Sequence, residues 1–295
     1  MRVHTKTAGV MAVLGASIMW ALEPVVAKLS YENADFLQTS TIRAIFVTLT
    51  AFVYVLFTRR NALFIQKKSI PPLVYLAVVG TLFADVLYFY ALTEIPVVNA
   101  VLLGHMQPVF IILIAFFVLK EETLSRFDYL GVLCMMGAGF LVTTRTAGNL
   151  ASLQFGTVGD ALVLFATVSW ATTAIAVKKY LSTMHAGVLT FYRFLFASLA
   201  FVAYACATHS FSLSNPYQVL VGVIVGVGTI LYYEGLKRIK AAQVSALELA
   251  TPFFAAVLGF FILGEFITIM QAAGIAMLFV GIYLLSRKEE TIIKL

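Results

Sequence analysis

The chain has 295 residues, of which 61% are hydrophobic and only 12% are charged, and its mean hydropathy is +0.97. Soluble domains carry about a quarter charged residues, so this composition excludes a soluble protein and predicts a membrane protein with several spans. The formal charge of +6 does not indicate nucleic-acid binding, because the basic residues concentrate at the termini and in alternate loops.

Apolar stretches of membrane-spanning length follow one another along the chain. A helix of about twenty residues crosses a hydrocarbon core of about 30 Å, whereas barrel strands are about half as long and alternate in polarity. We therefore predict an all-α membrane protein with ten transmembrane helices. The predicted spans are residues 8–29, 36–58, 71–92, 97–119, 127–145, 157–180, 186–208, 216–236, 243–263 and 268–286.

The basic residues predict the topology. All but four of the twenty Lys and Arg residues fall at the termini and in alternate loops, which the positive-inside rule places in the cytoplasm. We expect a multi-pass protein of the cytoplasmic membrane with both termini cytoplasmic. The first apolar stretch has full span length and no convincing cleavage site, so it is expected to remain as the first helix. The four exceptions are Lys28, Arg43, Arg145 and Arg193.

The chain repeats itself at an offset of 144 to 150 residues. The matched residues are Trp20 with Trp170, Lys28 with Lys178, Arg43 with Arg193, Pro108 with Pro252 and Glu121 with Glu265. We therefore divide the chain into two five-helix repeats, residues 1–150 and 151–295. Because five is an odd number, the second repeat has to enter the membrane from the opposite face.

Loop charges support this inversion independently. The loop 59–70 carries four basic residues, whereas its counterpart 209–215 carries no Lys or Arg. Two inverted repeats can exchange conformations, which is a physical route to alternating access around a site at the middle of the membrane. The repeat therefore favours a transporter.

Glu23 is the most informative charged residue in a predicted span, because a charge inside a bilayer costs about 2.5 to 3.5 kcal/mol on insertion scales. Trp20 lies three residues earlier on the same helix face. Pro24 removes a backbone donor and is expected to kink the helix. Two interpretations remain open: Glu23 contacts a substrate amine or carries a coupling proton, or it forms a structural ion pair.

Asp85 in the third span is a second candidate for substrate binding and proton coupling. Tyr88 follows it on the same helix face, and the equivalent helix of the second repeat carries Tyr232. Facing aromatic residues can enclose a planar or cationic solute, and cation–π attraction contributes about 0.5 to 2 kcal/mol per contact. Ordinary helix packing or lipid contact of the aromatic residues remains the other interpretation.

The fourth and ninth spans carry His105 and Glu248, each close to a proline. Pro108 and Pro252 are expected to form structural kinks and to free the carbonyl groups of Gly104 and Glu248, four residues back. Glu248 is a candidate for substrate binding and for proton coupling. His105 is expected to be a hydrogen-bonded interior residue, with a proton relay as the alternative.

Arg43 and Arg193 occupy equivalent depths in the two repeats. This symmetry predicts structural charges that pair with carboxylates or carbonyl groups, although recognition of a substrate carboxylate remains an alternative. Glu121 and Glu265 lie at helix ends and are interpreted as interfacial caps.

The two cysteines, Cys134 and Cys206, lie in or beside apolar spans, which predicts packing residues rather than a disulfide framework. The sequence contains no phosphate-binding glycine loop, no zinc-protease motif and no cysteine pair at metal spacing. We therefore expect no catalytic site, no metal and no cofactor, and an energy source other than ATP.

The motifs, taken in order, resemble a known family. They are the segment 20–28, the segment 99–108 followed by 117–121, and the segment 251–252 followed by 261–265. Over essentially the whole chain this set resembles the EamA-type members of the drug/metabolite transporter superfamily. The resemblance implies a ten-helix inverted-repeat carrier of small metabolites, commonly amino acids or related compounds, and often in the direction of export.

We predict a secondary transporter that exports a small organic metabolite by alternating access, with a proton gradient as the hypothesis for coupling. Amino acids and amine-bearing solutes are favoured, because interior acids and aromatic residues suit an ammonium group. The substrate-binding candidates are Trp20, Glu23, Asp85, Tyr88, His105, Trp170, Tyr232 and Glu248.

The expected partners are a small-molecule substrate and the lipid bilayer, without nucleic acid, and the protein is expected to act as a monomer or homodimer. Three alternatives remain. They are an uncoupled facilitator, a translocator of lipid-linked solutes and an intramembrane enzyme.

Overall fold

A computed structural model describes residues 2–59, 63–119, 126–154, 156–239, 244, 247–248 and 250–286, and these residues contain helices, turns and loops but no strand. The predicted all-α membrane fold is therefore confirmed. Eight helices are long and apolar enough to cross a membrane, and two further apolar helices are shorter. Glu121 and Ser245 lie outside the described residues, so the predicted cap at Glu121 stays a prediction.

The ten principal helices, α1 to α10, match the predicted spans to within a few residues. They are α1 (Arg2–Ser30), α2 (Phe36–Arg59), α3 (Ile70–Tyr75, Leu76–Phe83 and Ala84–Glu94), α4 (Val97–Gly104, Gln107–Ile114 and Ala115–Leu119), α5 (Arg126–Thr144), α6 (Val158–Ala176 and Val177–Leu181), α7 (Ala186–Ala207), α8 (Pro216–Leu236), α9 (Ala250–Leu263) and α10 (Ile269–Ser286). Val244, Leu247 and Glu248, just before α9, are also helical.

Two of these helices depart from regular α-helix in ways that bear on the candidate site. Leu76–Phe83 in α3 is π-helical, a geometry that occurs mostly as single turns and often at functional sites. α4 is interrupted at His105 and Met106, and its second segment begins at Gln107 with Pro108 in the first turn. α1 continues as a helix through Pro24.

The helices pack closely where glycines replace larger side chains. α1 packs along α8, α2 packs between α7 and α8, and α5 packs along α10. A Cβ atom at Gly131 would lie 3.0 Å from the carbonyl oxygen of Gly281, and one at Gly281 would lie 3.0 Å from that of Gly131. Glycine at both positions therefore lets the backbones of α5 and α10 approach, as is common between membrane helices.

The end of the bundle opposite the amino terminus, here called the far end, is joined by polar contacts between the two halves of the chain. Asn215 Nδ2 donates to the carbonyl oxygen of Ser30 over 2.8 Å. Gln271 Nε2 donates to Asn99 Oδ1 over 2.6 Å, and Asn99 Nδ2 donates to Asp160 Oδ1 over 2.9 Å. Asn99, Asp160 and Gln271 are buried, so this chain of bonds fixes α4, α6 and α10 relative to one another.

Candidate functional site

A buried ion network lies where α1, α2 and α3 meet. Arg43 Nη2 on α2 lies 2.9 Å from Asp85 Oδ2 on α3 and 3.1 Å from Glu23 Oε1 on α1. The side chains of Arg43 and Asp85 are 3% and 4% exposed, whereas that of Glu23 is 15% exposed. One guanidinium nitrogen therefore binds two carboxylates, and Glu23 is the more accessible of the two.

Aromatic rings cover the Arg43 guanidinium. Its Cζ atom lies 4.5 Å from the ring centroid of Phe89 and 5.5 Å from that of Phe194, distances at which cation–π attraction operates. Arg43 Nε and Nη1 are buried and have no hydrogen-bond partner among the described residues. The charge is therefore held by two carboxylates on one side and two π-systems around it.

The π-helical part of α3 brings the second half of the chain into this network. The carbonyl oxygen of Gly80 accepts hydrogen bonds from Trp170 Nε1 at 3.1 Å and from Arg193 Nη2 at 3.0 Å. A Cβ atom at Gly80 would lie 3.1 Å from Arg193 Nη2, so glycine permits this close approach. Arg193 Nε also donates to Thr81 Oγ1 over 2.9 Å.

Asp85 connects the two groups of contacts. Its Oδ1 atom accepts a 2.9 Å hydrogen bond from Trp170 Nε1 and lies 3.7 Å from Arg193 Nη2. Two arginines and two carboxylates, Asp85 and Glu23, thus balance in formal charge within one network. Buried charges without such pairing are costly, which explains how these four ionisable side chains are accommodated inside the bundle.

Two aromatic pairs flank the network. The rings of Tyr88 and Trp170 have centroids 5.3 Å apart, and those of Trp20 and Tyr232 have centroids 4.9 Å apart. Each pair joins one residue of the first half to one of the second. The sequence predicted that Tyr88 and Tyr232 would face each other, but in the described structure each of these tyrosines packs instead against a tryptophan of the other half.

Glu248 and His105 lie outside the ion network. Glu248 follows Leu247, whose carbonyl oxygen accepts from Ser17 Oγ on α1 over 3.3 Å, and no described Lys or Arg pairs with Glu248. His105 Nδ1 lies 2.7 Å from the carbonyl oxygen of Val101 in its own helix. This is the hydrogen-bonded interior arrangement that was the first interpretation of His105.

A clasp of three residues lies at the far end. Glu265 follows α9, and its Oε1 accepts from Lys28 Nζ at the end of α1 over 2.8 Å. Its Oε2 accepts from the backbone N–H of Val97, the first residue of α4, also over 2.8 Å. Glu265 therefore caps α4 rather than its own helix, and it ties three helix ends together.

Sequence reasoning missed the polar residues that join the halves at the far end, namely Asp160 and Gln271. Each lies three residues after a threonine, Thr157 or Thr268, and exchanges hydrogen bonds with it at the start of a helix. That spacing is the capping-box signal. Gly80 was also missed, because nothing in a single sequence predicts a π-helical turn.

Among the described residues, no group of three or more His, Cys, Asp or Glu side chains is arranged to hold a metal ion. Cys134 is half-buried and Cys206 is exposed, and both are free thiols.

Comparison with protein families gives a match in each half of the chain. The model described as the EamA-like transporter family matches residues 7–144 and residues 157–287. A solved crystal structure that is 19% identical superimposes with a TM-score of 0.66, over 96% of this chain and 99% of that one. At this level of identity the superposition shows a shared fold alone.

Several relatives are similar in sequence. An uncharacterised transporter of Synechocystis is 28% identical over 217 residues, which cover 70% of this chain and 62% of that protein. An uncharacterised transporter of Methanothermobacter thermautotrophicus is 29% identical over 229 residues, which cover 75% of this chain and 66% of that protein. The pseudopaline exporter of Pseudomonas aeruginosa is 24% identical over 246 residues, which cover 82% of this chain and 83% of the exporter.

Proposed function

We propose a function on the premise that this chain belongs to the EamA-like transporter family, whose model matches it over residues 7–144 and 157–287. The protein is a secondary carrier of small organic metabolites that works by alternating access in the cytoplasmic membrane, with both termini in the cytoplasm. Export is the favoured direction. The name of one relative, the pseudopaline exporter, supports that direction.

The observation that carries this proposal is the sharing of one buried ion network by both halves of the chain. Glu23, Arg43 and Asp85 come from the first half, whereas Trp170 and Arg193 come from the second. Any rotation of one half against the other changes the distances within this network. A substrate that binds beside it is therefore coupled to the relative position of the halves, as a carrier requires.

Two inverted repeats provide the movement. In the described conformation Lys28 is held at the far end by Glu265, whereas its repeat counterpart Lys178 is exposed. Equivalent positions thus have different environments, which is what exchange of conformations between inverted repeats requires. The clasp of Lys28, Glu265 and Val97 closes the far end, and it opens when the carrier changes state.

The favoured substrate is an amino acid or another amine-bearing solute. Carboxylates and aromatic rings occur together inside the bundle, and an ammonium group interacts well with both. Arg193, with a side chain 14% exposed, is the residue that could pair with a substrate carboxylate, because Arg43 is occupied by two acids.

A proton gradient supplies the energy in this proposal. Glu23, Asp85 and Glu248 are the candidate proton carriers, and Glu248 suits the role because no described basic residue pairs with it. Protonation of Glu23 or Asp85 would break an ion pair, whereas protonation of Glu248 breaks none. Coupling through Glu248 therefore disturbs the network least.

The proposal is tested by flux into proteoliposomes over a panel of amino acids, amines, nucleosides and sugars, with and without an imposed pH gradient. We expect uptake of at least one amine-bearing solute, faster with the gradient than without it. Glu23→Gln should lower the flux while the protein stays folded. Glu94→Gln, which changes an exposed carboxylate, is the matched control. A panel without any transported solute would contradict the proposal.

A further inference from the structure

We propose that Glu248 and Thr251, with the ring pair of Trp20 and Tyr232, form the subsite for the ammonium group of the substrate, and that Glu23 does not. The inference rests on the proposed carrier function and names the side chains that would give it a preference for amines. It also separates the roles of two carboxylates that the sequence treats alike.

Glu248 differs from Glu23, Asp85 and Asp160 in having no basic partner among the described residues. Glu23 and Asp85 pair with Arg43, Asp160 pairs with Arg145, and Glu248 pairs with no described Lys or Arg. A carboxylate inside a bilayer needs a cation, a proton or water. A substrate ammonium group is a cation that would be present only when the substrate is bound.

Thr251 supplies a second and independent observation. Thr251 is 1% exposed, and its Oγ1 has no hydrogen-bond partner among the described residues. Buried hydroxyl groups are usually bonded, and one without a partner costs about 1 to 3 kcal/mol. Because Thr251 lies three residues after Glu248, both side chains are on one helix face. A hydroxyl group without a partner, three residues from a carboxylate with no described basic partner, suits a ligand that carries donors.

Pro252 adds a third acceptor at the same place. Proline has no N–H, so it leaves the backbone carbonyl of Glu248, four residues earlier, without its usual helical donor. The carboxylate, this carbonyl and the Thr251 hydroxyl are three potential acceptors close together in sequence. A primary ammonium group carries three N–H donors, which makes it a suitable partner for such a set.

The aromatic pair lies beside this set of acceptors. The ring centroids of Trp20 and Tyr232 are 4.9 Å apart, and Ser17 Oγ, three residues before Trp20 on α1, donates to the carbonyl oxygen of Leu247, next to Glu248, over 3.3 Å. A Cβ atom at Gly228 would lie 3.3 Å from Trp20 Nε1, so the glycine on α8 allows the indole ring to pack closely against this helix. An ammonium group between these rings and Glu248 gains cation–π attraction as well as hydrogen bonds.

Glu23 is already occupied. Its Oε1 atom lies 3.1 Å from Arg43 Nη2, so a substrate ammonium group would have to compete with a buried guanidinium. Replacing Glu23 therefore removes an ion-pair partner of Arg43, whereas replacing Glu248 removes a contact to the substrate ammonium group. We expect the two replacements to have different kinetic effects.

The test uses wild-type protein, Glu248→Gln, Thr251→Val and Glu23→Gln in proteoliposomes. The probes are amino acids and alkylamines from the transported set, each paired with the analogue in which a hydroxyl group replaces the amine. Wild type should prefer the amine by about tenfold or more, since charge-assisted hydrogen bonds are the strong ones. Thermal unfolding of each purified variant checks that it is folded.

Glu248→Gln should abolish the preference for the amine over its hydroxyl analogue, and Thr251→Val should reduce it severalfold. Glu23→Gln should lower the rate for both probes and keep their ratio. If Glu248→Gln does not fold, Thr251→Val, which is close to isosteric, decides the question alone. A folded Glu248→Gln or Thr251→Val variant that keeps the wild-type ratio would overturn the inference.

Three other outcomes separate this inference from the proposed function. If the wild-type protein transports solutes but shows no preference for amines over their hydroxyl analogues, the ammonium subsite is overturned and the proposed carrier function is not. A Glu248→Gln variant that keeps its affinity for the amine but loses acceleration by a pH gradient would make Glu248 a proton site alone, without ammonium binding, and that too would overturn the inference. An absence of flux for every solute would remove the proposed function itself.

Discussion

Lys28 and Glu265 form an ion pair at 2.8 Å although 237 residues separate them in sequence. The pair joins three helix ends at the far end of the bundle, because the same carboxylate also accepts from the Val97 N–H. Side chains of Lys28 and Glu265 are 22% and 16% exposed, so water reaches the pair and weakens it. In the proposed carrier this pair favours the closed state and is weak enough to break when the far end opens.

We predict that Lys28→Gln and Glu265→Gln shift the carrier toward a state that is open at the far end. A partly exposed pair contributes about 1 kcal/mol, which corresponds to about a fivefold change in the open population. The measurement is the rate at which a thiol reagent labels Val101→Cys, introduced into protein with Cys134→Ala and Cys206→Ala. Val101 is buried in the described state, so its labelling reports opening.

Lys178→Gln is the matched control for this experiment. Lys178 occupies the equivalent position of the second repeat but is exposed, so its replacement should leave the labelling rate unchanged. Equal labelling rates in protein with Lys28→Gln and in protein that keeps Lys28 would show that the pair does not hold the far end closed.

The second prediction concerns Asp85, which accepts from Arg43 and Trp170 and lies 3.7 Å from Arg193. Asp85→Asn leaves Arg43 with Glu23 alone, and it should lower the free energy of unfolding by about 3 to 5 kcal/mol, as when one partner of a buried pair is removed. Thermal unfolding in detergent measures the change. Glu94→Gln should leave the unfolding temperature unchanged, and an equal effect of both variants would contradict the prediction.

The third prediction concerns Trp170. Trp170→Phe keeps an aromatic ring beside Tyr88 but removes the N–H that Asp85 and Gly80 share. A lost hydrogen bond to a charged group costs about 1.5 to 3 kcal/mol, so unfolding should occur at a lower temperature, with a smaller loss than for Asp85→Asn. A Trp170→Phe variant that is as stable as wild type would mean that the hydrogen bond from the indole N–H to Asp85 does not stabilise the protein.

The fourth prediction separates structural from functional polar groups. Asn99→Ala should destabilise the protein by about 1 to 3 kcal/mol, because Gln271 and Asp160 lose a buried partner. Transport per folded molecule should stay near wild type, since this chain of bonds lies away from the ion network. Asn33→Ala, at an exposed position, is the control. A stable Asn99→Ala variant that does not transport would assign Asn99 a direct role.

The sequence predicts the helices well and the polar interior only in part. Spans of about twenty apolar residues favour membrane helices over barrel strands, and the predicted helix bounds agree with the structure to within a few residues. Glu23 and Asp85 stand out as candidates because charge inside a bilayer is costly. Their shared partner, Arg43, is recognised as a charge to be paired, but the choice of partner depends on how three helices pack.

Other features of the site depend on backbone geometry that composition and periodicity do not encode. Gly80 accepts from Trp170 and Arg193 because Leu76–Phe83 is π-helical. Thr251 is an ordinary helical threonine in the sequence, and only the folded structure shows its hydroxyl buried without a partner. Such residues are found from the hydrogen bonds they make or lack.

Counterflow measures the central claim most directly. Proteoliposomes are loaded with an unlabelled amine-bearing solute from the transported set, diluted, and supplied with a trace of the same solute carrying a radioactive label. A carrier that works by alternating access should accumulate the label transiently above its equilibrium level, because the outgoing solute drives its entry. A steady approach to equilibrium without an overshoot would indicate an open channel and would contradict the account.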